Sequence, residues 1–109
     1  MKFLGTTNDV TTCECCGKSN LQKTVVLSDD FGSVIYYGSD CAGKTLYGKK
    51  NASNTKQVIR QAKVVDYAKV MIEKWGSEKT IVAIWNKFGY SSQIVDNKLK
   101  ISDFALIPL

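Results

Sequence analysis

All four cysteines of this 109-residue chain fall between positions 13 and 41. Cys13 and Cys16 are separated by two residues and followed by Gly17-Lys18. That spacing lets the backbone turn tightly enough to aim two thiolates at one cation, with amides of the turn free to donate to sulfur and the glycine free to take a positive φ. Cys41 returns a third thiol after a spacer long enough for a two-stranded hairpin. The chemistry this points to is zinc binding by Cys13, Cys16 and Cys41, with Cys15 next in line. A fourth ligand is not given by spacing. The positions three residues from Cys41 are Gly38 and Lys44, and the chain has no histidine. Cys15 would strain a turn built for two ligands. Asp40, the more remote Asp9, a water or a second chain are the other ways to complete the set. Against the metal stand two other uses of the cysteines: disulfides, which the adjacency of Cys15 and Cys16 disfavours, and simple burial as small hydrophobes.

A second constellation is cationic. No acidic residue lies between Asp40 and Asp66, whereas Lys44, Lys49, Lys50, Lys56, Arg60 and Lys63 all fall there. At roughly 100° per residue, a helix through this stretch gathers Lys56, Arg60, Lys63, Tyr67 and Lys74 on one face. Lys49, Lys50 and Lys56 would sit at its N-terminus, where the helix dipole already favours anions. Phosphates of DNA or RNA suit such a face, and Tyr67 could stack on a base. The same lysines could equally be a solvated helix surface. Residues 78–100 also admit a helix-turn-helix reading with Gly89-Tyr90-Ser91 as the turn, although Trp85 stands where a small residue normally lets the helices approach.

These side chains need elements to position them. Lys23–Leu27 and Ser33–Tyr37 are β-rich runs around Ser28-Asp29-Asp30-Phe31-Gly32, which reads as a hairpin whose second strand brings Cys41 back to the first cysteines. Ser39 or Asp40 can cap a short helix beginning near Cys41, and Gly43 and Gly48 limit its length. Lys49–Asn54 reads as a hinge. Apolar residues Val58, Ala62, Val65, Ala68, Ile72 and Trp75 then recur at helical spacing from about Asn54 to Trp75, with Gly76 as the stop. A second helix, Glu78–Phe88, starts at Ser77 and ends at Gly89. Residues 1–12 read as a short lead-in with Phe3 and Leu4 docked on the core. The last twenty residues fit either a hairpin around Asp96-Asn97 or a short helix. Their apolar tail Phe104–Leu109 should pack on the helices or on a partner.

The composition is that of one folded domain: 44% hydrophobic, 23% charged, formal net charge +5. No segment has the length of a membrane span and no secretory signal is visible, so the expected compartment is cytoplasmic and reducing, which favours metal over disulfides. Without histidine there is no cysteine–histidine pair, and the acids show no pairing suited to general acid–base work. The expectation is a non-enzyme.

Cys13, Cys16, Gly17, Lys18, Leu21, Thr24, Tyr37, Gly38, Ser39, Cys41 and Ala42 together form a pattern that resembles small zinc-ribbon-like proteins of phages and mobile elements. The resemblance covers about a third of the chain. It implies zinc and an association with nucleic acids or host factors, and no activity. The fold expected is α+β in a single domain: a zinc-ribbon-like β-hairpin over residues 1–48 packed on a mainly α-helical half over residues 49–109, with Trp75, Trp85, Ile72 and Phe88 in the shared core. The function expected is nucleic-acid binding through Lys49, Lys50, Lys56, Arg60, Lys63, Tyr67 and Lys74. The alternative is a phage-type interaction module or inhibitor of a host enzyme, in which an apolar patch such as the tail makes the contact.

Overall fold

The computed structural model describes residues 1–109. Strands β1 (Lys2–Thr7), β2 (Thr24–Ser28) and β3 (Val34–Tyr37) form an antiparallel sheet in the order β1-β2-β3. Helices α1 (Ser39–Tyr47), α2 (Ala52–Trp75) and α3 (Ser77–Phe88) follow, and β4 (Ser92–Val95), β5 (Lys98–Ile101) and β6 (Ala105–Pro108) form a second antiparallel sheet in chain order. The class is α+β, with two small sheets and three helices.

The β2–β3 hairpin forms where the sequence places it. Asp29 Oδ1 accepts the amides of Phe31 and Ser33 at 2.9 and 2.8 Å, and Gly32 takes φ +83°, so the turn closes on side-chain bonds and one left-handed residue. Asn51 caps α2 by accepting the Asn54 amide at 2.8 Å. The buried face of α2 is Val58, Gln61, Ala62, Val64, Val65 and Ala68. Around it one core draws on both halves of the chain: Phe3, Val25, Leu27 and Ala42 from the first, and Ile84, Leu99, Ile101, Phe104, Ala105 and Ile107 from the second.

Four expectations are corrected. Residues 2–7 are a strand, not a lead-in. Gly5 breaks the alternation at a bulge between the pairs Phe3↔Leu27 and Gly5↔Val26, with φ +118°, and a Cβ there would lie 2.5 Å from Asp66 Oδ1. Only glycine lets β1 approach α2 this closely, and Asp66 then accepts from Thr6, its amide at 3.1 Å and its hydroxyl at 2.6 Å. Second, the half over residues 49–109 is less helical than expected, since it ends in a sheet, while the short helix expected near Cys41 forms as α1. Third, the helix-turn-helix reading fails. Asp96 and Asn97 take φ +51° and +60°, the pairing Val95↔Lys98 closes over them, and Leu99 and Ile101 alternate into the core. The tail becomes β6, with Ala105 and Ile107 buried. Fourth, Trp75 and Trp85 are 57% and 60% exposed, while Ile72 and Phe88 are half-buried against the core. Ile84 and Thr80 take the inner face of α3, which turns Trp85 outward.

Candidate metal centre

The turn that holds the cysteines is built by backbone. The Gly17 amide donates to Cys13 O and the Cys13 amide to Lys18 O, both at 2.9 Å, so residues 13–18 close on themselves. Glu14 fastens this turn to the edge of β3: its amide donates to Tyr36 O at 2.9 Å and its carboxylate accepts the Tyr36 amide at 2.7 Å. Gly38 ends the segment after β3, buried against Leu21 and the Cβ of Cys13, and α1 begins at the next residue. Cys41 therefore lies in the first turn of α1, where the helix dipole acts in favour of a thiolate but is outweighed by burial.

The result is that the Sγ atoms of Cys13, Cys16 and Cys41 lie within 4.8 Å of one another. Zinc–sulfur bonds of about 2.3 Å place tetrahedral sulfurs about 3.8 Å apart, so three thiols at this separation need only a small inward movement to share one cation. Cys13 and Cys41 are buried and Cys16 is exposed. Burial pushes the Cys13 thiol up, but the amides of Gly38, Cys16 and Cys15, together with the Cys41 thiol, outweigh it and bring its pKa down to about 7. Burial raises Cys41 to about 12, reinforced by the thiols of Cys16, Cys13 and Cys15. A thiolate thus forms at Cys13 before Cys41, whose proton is held first by burial, then by the neighbouring thiols, with the charge of Cys13 adding least. Tyr37 is raised as well, by burial first and then by the charges of Cys15, Cys13, Glu14 and Cys41. A donor set of this kind, sulfur-rich and repelling further negative charge, fits a soft divalent cation.

Cys15 is exposed and stands outside the group of three, contributing its amide to Cys13. Asp40 lines the same cleft, about 110 Å³ in volume, but its Oδ1 accepts the Thr55 hydroxyl at 2.6 Å and so ties α1 to α2. Asp9 is exposed and lies outside the group.

The cationic residues are distributed less simply than their helical spacing implies. Lys49, Lys50, Lys56, Lys63 and Lys74 are exposed. Lys50 and Lys56 line one shallow depression at the start of α2. Arg60 donates to the Phe88 carbonyl and lies 5.4 Å from the centre of the Tyr90 ring, which makes it a bracket between α2 and the end of α3. Tyr67 is half-buried, edge-on to Phe88 at 5.5 Å, with Lys87 Nζ 4.6 Å above its ring. Both residues lie on the predicted arc, but α3 packs on that part of it. The one ion pair in the chain joins the Met1 amino group to Asp30 at 4.0 Å, so none of the lysine side chains on α2 is neutralised by a carboxylate.

Sequence reasoning missed the clamp made by Glu14, whose only signal is an acidic residue inside the cysteine turn. It also missed the cleft between β2 and α2, because Asn8, Gln22 and Lys23 meet Ile59 and Lys63 only through the strand pairing at residues 2–7. Compared with known protein families, curated proteins and solved structures, the chain matches none of them.

Proposed function

We propose that this is a small zinc-binding protein of zinc-ribbon-like, phage-related type that acts without catalysis, in the cytoplasm, by binding DNA or RNA through its phosphates. Zinc is held by Cys13, Cys16 and Cys41, with Cys15 as the nearest further thiol. The binding face is Lys49, Lys50, Lys56 and Lys63 with Lys74 beyond them, and Arg60 and Tyr67 support it from behind. The observation that carries the reading is that these ammonium groups, crowded at and after the N-terminus of α2, have no carboxylate partner.

Fluorescence anisotropy with mixed-sequence DNA and RNA tests it. Four phosphate contacts predict that affinity falls on the order of 100-fold between 50 and 200 mM salt. Lys56→Glu combined with Lys63→Glu should abolish the complex with the fold intact. Absence of any complex, or one indifferent to both salt and these substitutions, overturns the reading.

A second reading is favoured by a specific feature: Trp75, Val82 and Trp85 are each more than half exposed. Under it the protein is an interaction module that occupies a host protein through α3, and the lysine substitutions leave its contact unchanged. Within the C-terminal tail Phe104, Ala105 and Ile107 are buried, which leaves Leu109 as its one exposed large apolar side chain for such a contact.

A further inference from the structure

Beside the metal centre, a cleft of about 430 Å³ opens between the β1–β2 end of the first sheet and one face of α2. Its volume falls within the roughly 300–1,000 Å³ of small-molecule sites. The apolar part of the lining is chiefly Ile59, 39% exposed, with Val25 and Ala62 buried beneath at 4% and 1%. The rim is polar and flexible in hydrogen bonding. Asn8 and Gln22 flank the point where β1 and β2 begin to pair, and each carries an amide with both a donor and an acceptor. Lys23 and Lys63 place two ammonium groups on opposite elements of the same rim. Asp66 also lines it, but its two oxygens accept the Thr6 amide and hydroxyl.

The geometry points to a nucleotide site: a flat heteroaromatic ring lies on Ile59, the amides of Asn8 and Gln22 meet its edge, and Lys23 and Lys63 hold its phosphate. An apolar side chain accepts a ring face, two amides pair with mixed donor–acceptor edges, and paired cations select a phosphate over an uncharged substituent. This rests on the nucleic-acid reading in one respect, since Lys63 belongs to both surfaces. Ser39, which opens α1 two residues before Cys41, lines this cleft and the thiol cleft alike, so the metal-holding segment forms one wall.

The test is a titration of the full chain, zinc-loaded, with AMP, GMP, CMP and UMP, their nucleosides and inorganic phosphate, followed by amide chemical shifts. Saturable shifts centred on Asn8, Gln22, Lys23, Ile59 and Lys63 are expected with at least one nucleotide. Lys23→Ala combined with Lys63→Ala should weaken that nucleotide about tenfold and leave its nucleoside unchanged. Ile59→Ala should weaken both. These three residues are exposed, and the same spectra report whether each variant is folded. No saturation by any nucleotide at millimolar concentration, shifts confined to Lys49–Lys56, or phosphate alone binding as tightly as the nucleotides would each overturn the assignment. Oligonucleotide binding with an unresponsive cleft removes this inference and keeps the nucleic-acid reading, while mononucleotide binding without oligonucleotide binding does the reverse.

Discussion

The Cys13 thiol has two opposing influences on it, burial and three backbone amides, and the amides prevail. That has a measurable sign. In the metal-free protein its folded pKa is about 7 against an ordinary value of 9.0, so the unfolded chain holds more protons between those values. Folding stability contributed by Cys13 is therefore present above pH 9 and is lost as pH falls through 7. Urea denaturation in a chelator should show the stability difference between the parent and Cys13→Ser growing from pH 7 to pH 9. A difference that is flat or shrinks over that interval contradicts the amide account. These cysteines were also what the sequence showed best, because a two-residue spacing and a following glycine constrain the backbone within six residues. The packing partners of Arg60 and Tyr67 were not legible, for the opposite reason. Helical spacing places them on a face but says nothing of α3 packing on it.

At the level of elements, the cysteine segment and the rest of the chain are held by different means. Residues 14–20 are all exposed, and their order depends on backbone bonds to Cys13, Lys18 and Tyr36 rather than on apolar burial. Metal removal should therefore loosen this segment selectively. Hydrogen exchange before and after chelation is expected to show the amides of Cys13, Glu14 and Gly17 losing protection, while those of α2 and β5 keep theirs. Uniform loss, or none, would mean that the thiols are not the cross-link. The hairpin β2–β3, α2 and α3 were legible because each carries a full period of apolar residues between turn or cap signals. Strand β1 was not, because Gly5 interrupts its alternation at the bulge that α2 requires. The second sheet was half-legible: Asp96-Asn97 is a two-residue turn signal, but four-residue strands are too short to exclude one turn of helix.

For the whole molecule, the largest misjudgement concerns the core. Two tryptophans at helical positions are the natural anchors of a small core, and yet Val, Ile, Leu and Phe side chains fill it while both indoles stay outside. Burying an aromatic that size makes truncation cost about 3–5 kcal/mol, whereas a surface change costs about 0.5 kcal/mol or less. Trp85→Ala should accordingly shift denaturant stability by under about 1 kcal/mol, and the indole emission of the native protein should be red-shifted and open to acrylamide. A blue-shifted, protected emission would show the helices packed otherwise. Amphipathic spacing could not settle this, because which flank of the apolar arc is covered depends on the crossing of α2 and α3 and on β1, β5 and β6, elements remote in sequence.

Strand β1 also joins the two sheets: the Phe3 amide donates to the Phe104 carbonyl at 2.8 Å, and the two rings meet edge-on with centres 5.7 Å apart. Loop length gives this contact a particular meaning. The thiol cluster closes only the short loop between Cys13 and Cys41. Phe3 pairs with Leu27 inside the first sheet, but its contact with Phe104 closes a far longer loop. Closing the longer loop carries the larger entropic cost, so joining the two sheets is expected to be the slower step of folding.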